Sequence, residues 1–247
     1  MSLPKFYLTL LFCLHAAAWA QLQNLPEPLI YFPFNEADFT ALRALGAEQP
    51  PKAHNPEYLK WVEGASGKAL YFANDGQETK RGMISCQLPS DFELQSGFSI
   101  AAFIKTPPSL HRSRQYEIVS FTDTLSKGPG FRLMMSWRML WLMLGDGDEM
   151  RSVRSNTSKL GIDPQQWYHI AAVYDGQGGA EVYLNGILLG SSKDMQVRMP
   201  EKRKLELRLG ASASQGSGYG FEGCISALRI YNLPLSVEQI NALAQME

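Results

Sequence analysis

With 247 residues, 45% of them hydrophobic, the chain is long enough to bury a full core and suits one domain of the larger all-β kind. Lys and Arg number 23 against 24 Asp and Glu, so a net charge of −1 supplies no field for nucleic acid or for an anionic membrane surface. Electrostatics leave the other partner classes open.

The N-terminus reads as an export signal. Lys5 precedes an apolar run from Phe6 to Ala18, and Ala18-Trp19-Ala20 places small residues where a signal peptidase would cut before Gln21. A membrane anchor is the competing reading, and the run falls short of the roughly 20 apolar residues that span a bilayer. Leu11 and Phe12 stand before Cys13, where a lipoprotein signal wants a small residue. Residues 1–20 are therefore expected to be a signal peptide and residues 21–247 a single domain. That domain would be secreted, periplasmic or at the cell surface, with no membrane span in the mature chain. Loss of the leader leaves Cys86 and Cys224, either as a disulfide tying an early strand to a late one or as two buried thiols. Sequence supplies no Cα separation with which to choose.

Residues 29–34 have strand composition, and Pro33, which lacks a ladder donor, marks an edge or a strand end. Residues 36–64 read as an irregular surface excursion broken by Pro50, Pro51 and Pro56. Strands are expected at 69–73 and 83–88, and then at sandwich spacing over 98–105, 116–122, 130–137, 139–144, 168–174, 180–184, 205–210 and 221–231. Turn chemistry separates them, as at Pro107-Pro108, Asp146-Gly147 and Asp163-Pro164. Asp175-Gly176 and Asn185-Gly186 supply the positive φ that hairpins need, so the stretch from Trp167, with a short closing strand, reads as a β-meander. Leu205, Leu207 and Leu209 alternate with Glu206 and Arg208, which gives that strand one core face and one outward face. Only residues 236–243 have helical spacing, with Ser236 and Gln239 forming a capping box. The fold class is all-β: a two-sheet antiparallel sandwich with a short C-terminal helix.

The ordered series Trp167-Tyr168-His169-Ile170-Ala171, Tyr174-Asp175-Gly176, Tyr183-Leu184-Asn185-Gly186, Leu207-Arg208-Leu209-Gly210, Phe221-Glu222-Gly223-Cys224-Ile225 and Arg229-Ile230-Tyr231-Asn232 is followed by Leu235-Ser236. This series resembles the laminin-G-like, concanavalin A-like jelly-roll family over residues 67–245, and Gly97-Phe98-Ser99-Ile100 matches an earlier strand of that family. The resemblance implies a curved jelly-roll sandwich and, for most members, binding of carbohydrate or protein instead of catalysis. Ser226-Ala227 stands where many relatives have Asp-Glu. The pentraxin branch holds calcium in the loop before Phe-x-Gly. Here residues 211–220 contain no carboxylate, against a need for about six to eight oxygen ligands, so no metal or cofactor is expected there.

Glycoside hydrolysis on this scaffold requires paired carboxylates. Related glucanases carry them on one strand as Glu-x-Asp-x-x-Glu, a string absent here, and no catalytic residue is assigned. Asp146, Asp148 and Glu149 cluster at a Gly-rich hairpin tip, where a solvated turn is the preferred reading. Asp75, with Glu78 on its loop, and Asp123 read the same way, and calcium at Asp75, Asp123 or Asp146 with Asp148 stays open. His54, His111 and His169 have no zinc or triad spacing, and His169 is read as a structural imidazole that hydrogen-bonds a neighbour. The Gly/Ser-rich stretch 212–220 lacks the lysine and context of a phosphate loop and reads as a flexible loop. Trp137 and Trp141 suit a sugar-stacking platform or the core, with burial preferred for Trp141. Tyr183 and Glu181 take the parity opposite to Val182 and Leu184, and Arg208 and Glu206 are expected to join them across the sheet. These four are the candidate ligand-binding residues. Asn156-Thr157-Ser158 is a glycosylation sequon, relevant in a eukaryotic host. The functional expectation is an exported, non-enzymatic recognition module for carbohydrate or an extracellular protein. Its alternatives are a structural or adhesion component and, behind that, a glycan-active enzyme with an unrecognised site.

Overall fold

The computed structural model describes residues 25–246 except 37, 66, 76–79, 125, 201–204 and 213–218. The expected signal peptide lies outside the described residues, as do Glu78 and most of the Gly/Ser-rich stretch. Among the described residues the strands are β1 (Ile30–Phe32), β2 (Lys52–His54), β3 (Leu59–Glu63), β4 (Lys68–Ala73), β5 (Met83–Cys86), β6 (Phe98–Lys105), β7 (Gln115–Phe121), β8 (Gly130–Ser136), β9 (Met139–Gly145), β10 (Met150–Arg154), β11 (Trp167–Tyr174), β12 (Ala180–Leu184), β13 (Ile187–Ser192), β14 (Leu207–Leu209) and β15 (Glu222–Tyr231). They are followed by one α-helix, α1 (Val237–Ala244).

Antiparallel ladders assemble these strands into two sheets. One has eight strands in the order β13, β12, β11, β6, β15, β4, β3, with β1 also on β15; the other has seven in the order β10, β9, β8, β7, β14, β5, β2. The two-sheet antiparallel sandwich with a short C-terminal helix is thus the observed fold. Residues 36–64, expected to be irregular, instead contribute the edge strands β2 and β3. Pro50, Pro51 and Pro56 precede these strands and so remove no donor from within a ladder. β10, which the sequence does not announce, pairs with β9 across the turn in which Asp146 accepts the Asp148 and Glu149 amides.

Alternation of side chains sets the shared core. Phe98, Ile100, Ala102 and Ile104 of β6 meet Leu133 and Met135 of β8 and Leu140, Leu142 and Leu144 of β9 in one apolar cluster. The eight-stranded sheet is buried on its second face too. There Ala101, Ala171, Val173, Tyr183 and Tyr231 lie under Leu235 and under Ile240 and Leu243 of α1. Ser99 fastens this cover: its Oγ donates to Leu233 O at 2.9 Å and accepts from Leu235 N at 2.8 Å. The expected capping box is present, with Gln239 N on Ser236 Oγ at 3.3 Å and Ser236 N on Gln239 Oε1 at 2.9 Å. Asn185 and Gly186 have φ of 50° and 79°, the pair of left-handed residues that a two-residue hairpin requires. A Cβ on Gly186 would also stand 2.1 Å from Asn241 Oδ1, so glycine is needed there for space as well.

Cys86 and Cys224 are free and buried, so of the two readings left open by the sequence the pair of thiols is the one observed. Cys86 faces the core from the seven-stranded sheet, whereas Cys224 belongs to the eight-stranded sheet and alternates with the core-facing Ile225. Burial pushes the thiols up, Cys86 to about 12 and Cys224 to about 11.

Candidate functional site

The four expected ligand residues do not come together. Glu181 and Tyr183 lie on β12 of the eight-stranded sheet, while Glu206 and Arg208 lie at and on β14 of the seven-stranded sheet. Tyr183 does take the parity opposite to Val182 and Leu184, but α1 covers that face and leaves it 1% exposed. Its hydroxyl donates to Glu181, and burial followed by that carboxylate raises the phenol's pKa. Glu181 lines a groove of about 580 Å³ with Asp175, Gln177, Ser191 and Lys193. Glu206 lines a separate cleft of about 920 Å³ at a sandwich end, floored by Phe92 and Phe121. The physical reason for the split is pairing: β14 bonds to β5 and β7, and period-two parity is blind to which sheet a strand joins.

The outer face of the seven-stranded sheet carries a different set. In register across it run Ser85, Arg208, Ser120, Arg132, Met143 and Ser152. The next row is Glu117, Met134, Trp141 and Arg154. Arg132 grips Glu117 with two nitrogens, Nε to Oε1 at 3.0 Å and Nη2 to Oε2 at 2.6 Å. Both side chains are essentially inaccessible, 2% and 0% exposed. Desolvation raises the Glu117 pKa, and the bonds from Arg132 oppose that rise. Arg132 also stacks on the Tyr219 ring at 5.2 Å. Burial lowers the Arg208 pKa while Glu206 and Asp123 oppose this, and its Nη1 donates to Thr122 O at 3.3 Å.

One tryptophan lies on this face and a second sits in the β8–β9 turn. Trp141 points away from the core-facing Leu140 and Leu142 and is half-buried beneath Arg154, whose guanidinium lies 4.0 Å from the ring centroid. That corrects the preferred core placement, and the indole Nε1 has no hydrogen-bond partner. Trp137 occupies the β8–β9 turn at φ 53°, a strained setting for a bulky side chain. Arg112 and Arg138 stack on it at 4.3 and 5.8 Å. Arg154 escapes sequence reasoning because β10 has no apolar alternation. Glu117 and Arg132 had a legible signal, namely single charges at alternate positions in strands that are otherwise apolar.

The other polar candidates take structural roles. His169 is 2% exposed against the Phe103 ring at 5.0 Å. Neither of its ring nitrogens finds a hydrogen bond, contrary to the expected neighbour. Its backbone amide donates instead to Asn185 Oδ1 at 2.9 Å. His54 Nε2 bonds Ser85 Oγ at 2.8 Å. Among the described residues no group of three or more His, Cys, Asp and Glu side chains is placed to hold a metal ion. No described helix is long and apolar enough to cross a membrane.

Comparison with known proteins agrees with this architecture. The receptor binding domain of botulinum neurotoxin type G superimposes with a TM-score of 0.66 at 12% identity, covering 90% of this chain and 51% of that one. The binding domain of botulinum neurotoxin serotype D gives 0.63 at 15% identity, over 88% and 51%. The chain therefore spans about half the length of these structures, and at such identities they share its fold alone. No curated protein sequence matches it. A family model described as "Concanavalin A-like lectin/glucanases superfamily" matches residues 80–241, from before β5 into α1, and the chain belongs to that family.

Proposed function

We propose that the protein is an exported, non-enzymatic recognition module that binds carbohydrate through the outer face of its seven-stranded sheet. The observation that carries this reading is Trp141, a large aromatic that stays half-exposed on that face beside the Arg154 guanidinium stacked on it. An indole offers an apolar surface to the C–H face of a pyranose. In the neighbouring row Ser152 and Arg208, both half-buried, supply a hydroxyl and a guanidinium donor for sugar oxygens. A binding role fits a family that contains lectins, and similar folds are named as receptor-binding domains of a toxin. Catalysis is disfavoured because glycoside hydrolysis uses two free carboxylates, and Glu117 on this face is locked to Arg132.

A glycan array probed with the full-length chain and with Trp141→Ala tests the proposal. At least one glycan is expected to bind, with the variant weaker by about tenfold or more. Silence of the native protein on every glycan, with capture of an extracellular protein instead, would transfer the recognition role to a protein partner. Release of reducing sugar from mixed polysaccharides would overturn the non-enzymatic part. Export is tested separately by N-terminal sequencing of protein from a secreting host, with Gln21 expected first.

A further inference from the structure

At one end of the sandwich β4 stops while β5, β7 and β15 begin, and the connecting residues converge. Asn74, 1% exposed, organises them. Its Nδ2 donates to Gly82 O at 3.0 Å and Gly210 O at 2.8 Å, and its Oδ1 accepts from Gly82 N at 2.9 Å. The Arg81 carbonyl accepts from Asn55 Nδ2 at 2.7 Å, so the backbone bearing Arg81 is pinned on both sides. Arg114, just ahead of β7, reaches into the same place with a side chain only 9% exposed. Its Nη1 donates to Asp75 O at 2.6 Å and Glu222 Oε2 at 2.8 Å, and its Nη2 to Gly220 O at 3.4 Å. A Cβ on Gly220 would stand 3.0 Å from Arg81 Cδ and 3.2 Å from Arg81 Nε, so both arginines lie against this one glycine.

Among the described residues two charged donors in this cluster are buried and unmet: Nη1 of Arg81 and Nε of Arg114. Burying such groups without acceptors is costly, which marks the place as built for something else. Charge points the same way. Glu222 offsets Arg114, but Arg81 has no ion pair among the described residues. Burial and then the like charge of Arg114 lower the Arg81 pKa, so the pair is in electrostatic contact. A neutral ligand would leave that repulsion in place. An oxyanion would remove it and take both N–H groups, since guanidinium groups donate paired hydrogen bonds to planar carboxylates and to tetrahedral oxyanions alike.

We propose that Arg81 and Arg114 form an oxyanion-binding site, receiving a carboxylate or sulfate group on Arg81 Nη1 and Arg114 Nε. Arg81 as a whole is half-buried although its Nη1 is closed to solvent, so the anion enters with a movement of the Arg81 side chain. The site is separate from Trp141 and stands or falls independently of the carbohydrate reading.

The test is a proton–nitrogen spectrum of the nitrogen-15-labelled full chain that resolves arginine Nε–Hε groups, with Arg114→Lys assigning the Arg114 signal by its loss. Sodium sulfate and sodium acetate are titrated against sodium chloride at equal ionic strength. A saturating shift of the Arg114 signal with either oxyanion and not with chloride is expected, and the tighter of the two names the group preferred. Arg81→Gln is expected to weaken the effect by about tenfold or more, Arg81→Lys by less, and Trp141→Ala not at all. A shift that fails to saturate, that chloride reproduces, or that Arg81→Gln leaves unaltered would overturn the site. Should Arg81→Gln fail to fold, the native titration and Arg81→Lys decide on the same terms.

Discussion

His169 shows what a single residue contributes when the sheet closes over it. Desolvation, and then the charge of Arg229, depress its pKa from 6.5 to about 3. In the unfolded chain the imidazole protonates near its ordinary value, so between these limits the unfolded state binds more protons than the folded one. Stability from the buried neutral ring is therefore complete above pH 6.5 and is lost as the pH falls toward 3. Urea unfolding of the native protein is expected to weaken over that window with a slope approaching about 1.4 kcal/mol per pH unit from this group. His169→Phe, which keeps an aromatic ring against Phe103, should lose that component, and an unchanged slope would show that the acid sensitivity arises elsewhere. The Arg132–Glu117 pair makes a second residue-scale case. Arg132→Met strands a buried carboxylate and is expected to cost about 3–5 kcal/mol in urea denaturation, whereas Glu117→Leu with Arg132→Met should recover most of it. The Trp-x-His pattern is legible as a family position, but the solitude of the ring is not, because Phe103 and Arg229 arrive from other strands.

At the level of elements, α1 converts what would be a solvated sheet face into a second interior. Ile240 is fully buried, and Ile240→Ala is expected to cost about 2–5 kcal/mol. Ser236→Ala, which removes only the cap, should cost about 1 kcal/mol in the same denaturant series. A reversed ranking would mean that the helix is held by its local signals and not by the sheet beneath it. Those local signals were plain in the sequence: the capping box and the Asn-Gly turn each need only a few adjacent residues of the right chemistry. Long strands were equally plain, β6 and β12 matching residue for residue, because a run of apolar or alternating side chains survives without knowledge of its partner. The short edge strands β2 and β3 and the polar β10 were not, since their ladders are imposed by neighbours already in place.

For the whole molecule, the division into two sheets decides which residues share a surface. Parity along β12 and β14 is readable in the sequence, yet it says nothing about which sheet each strand joins, and so it groups Glu181 and Tyr183 with residues that the sandwich holds apart. The Trp141 face could be named only as a stretch of sequence, because its companion Arg154 enters through the unannounced β10. The same division turns the two cysteines into independent reporters. Cys86 belongs to the seven-stranded sheet and Cys224 to the eight-stranded one, and burial keeps both thiols protonated and inert at neutral pH. Since one core cluster draws on both sheets, the sheets should open together. Pulsed alkylation in increasing urea, with mass spectrometry assigning the modified peptides, is expected to show neither thiol reacting under native conditions and both becoming reactive over one transition. If Cys224 reacted well before Cys86, the eight-stranded sheet would be a separate unit of stability, and the shared core would not be what holds the sandwich together.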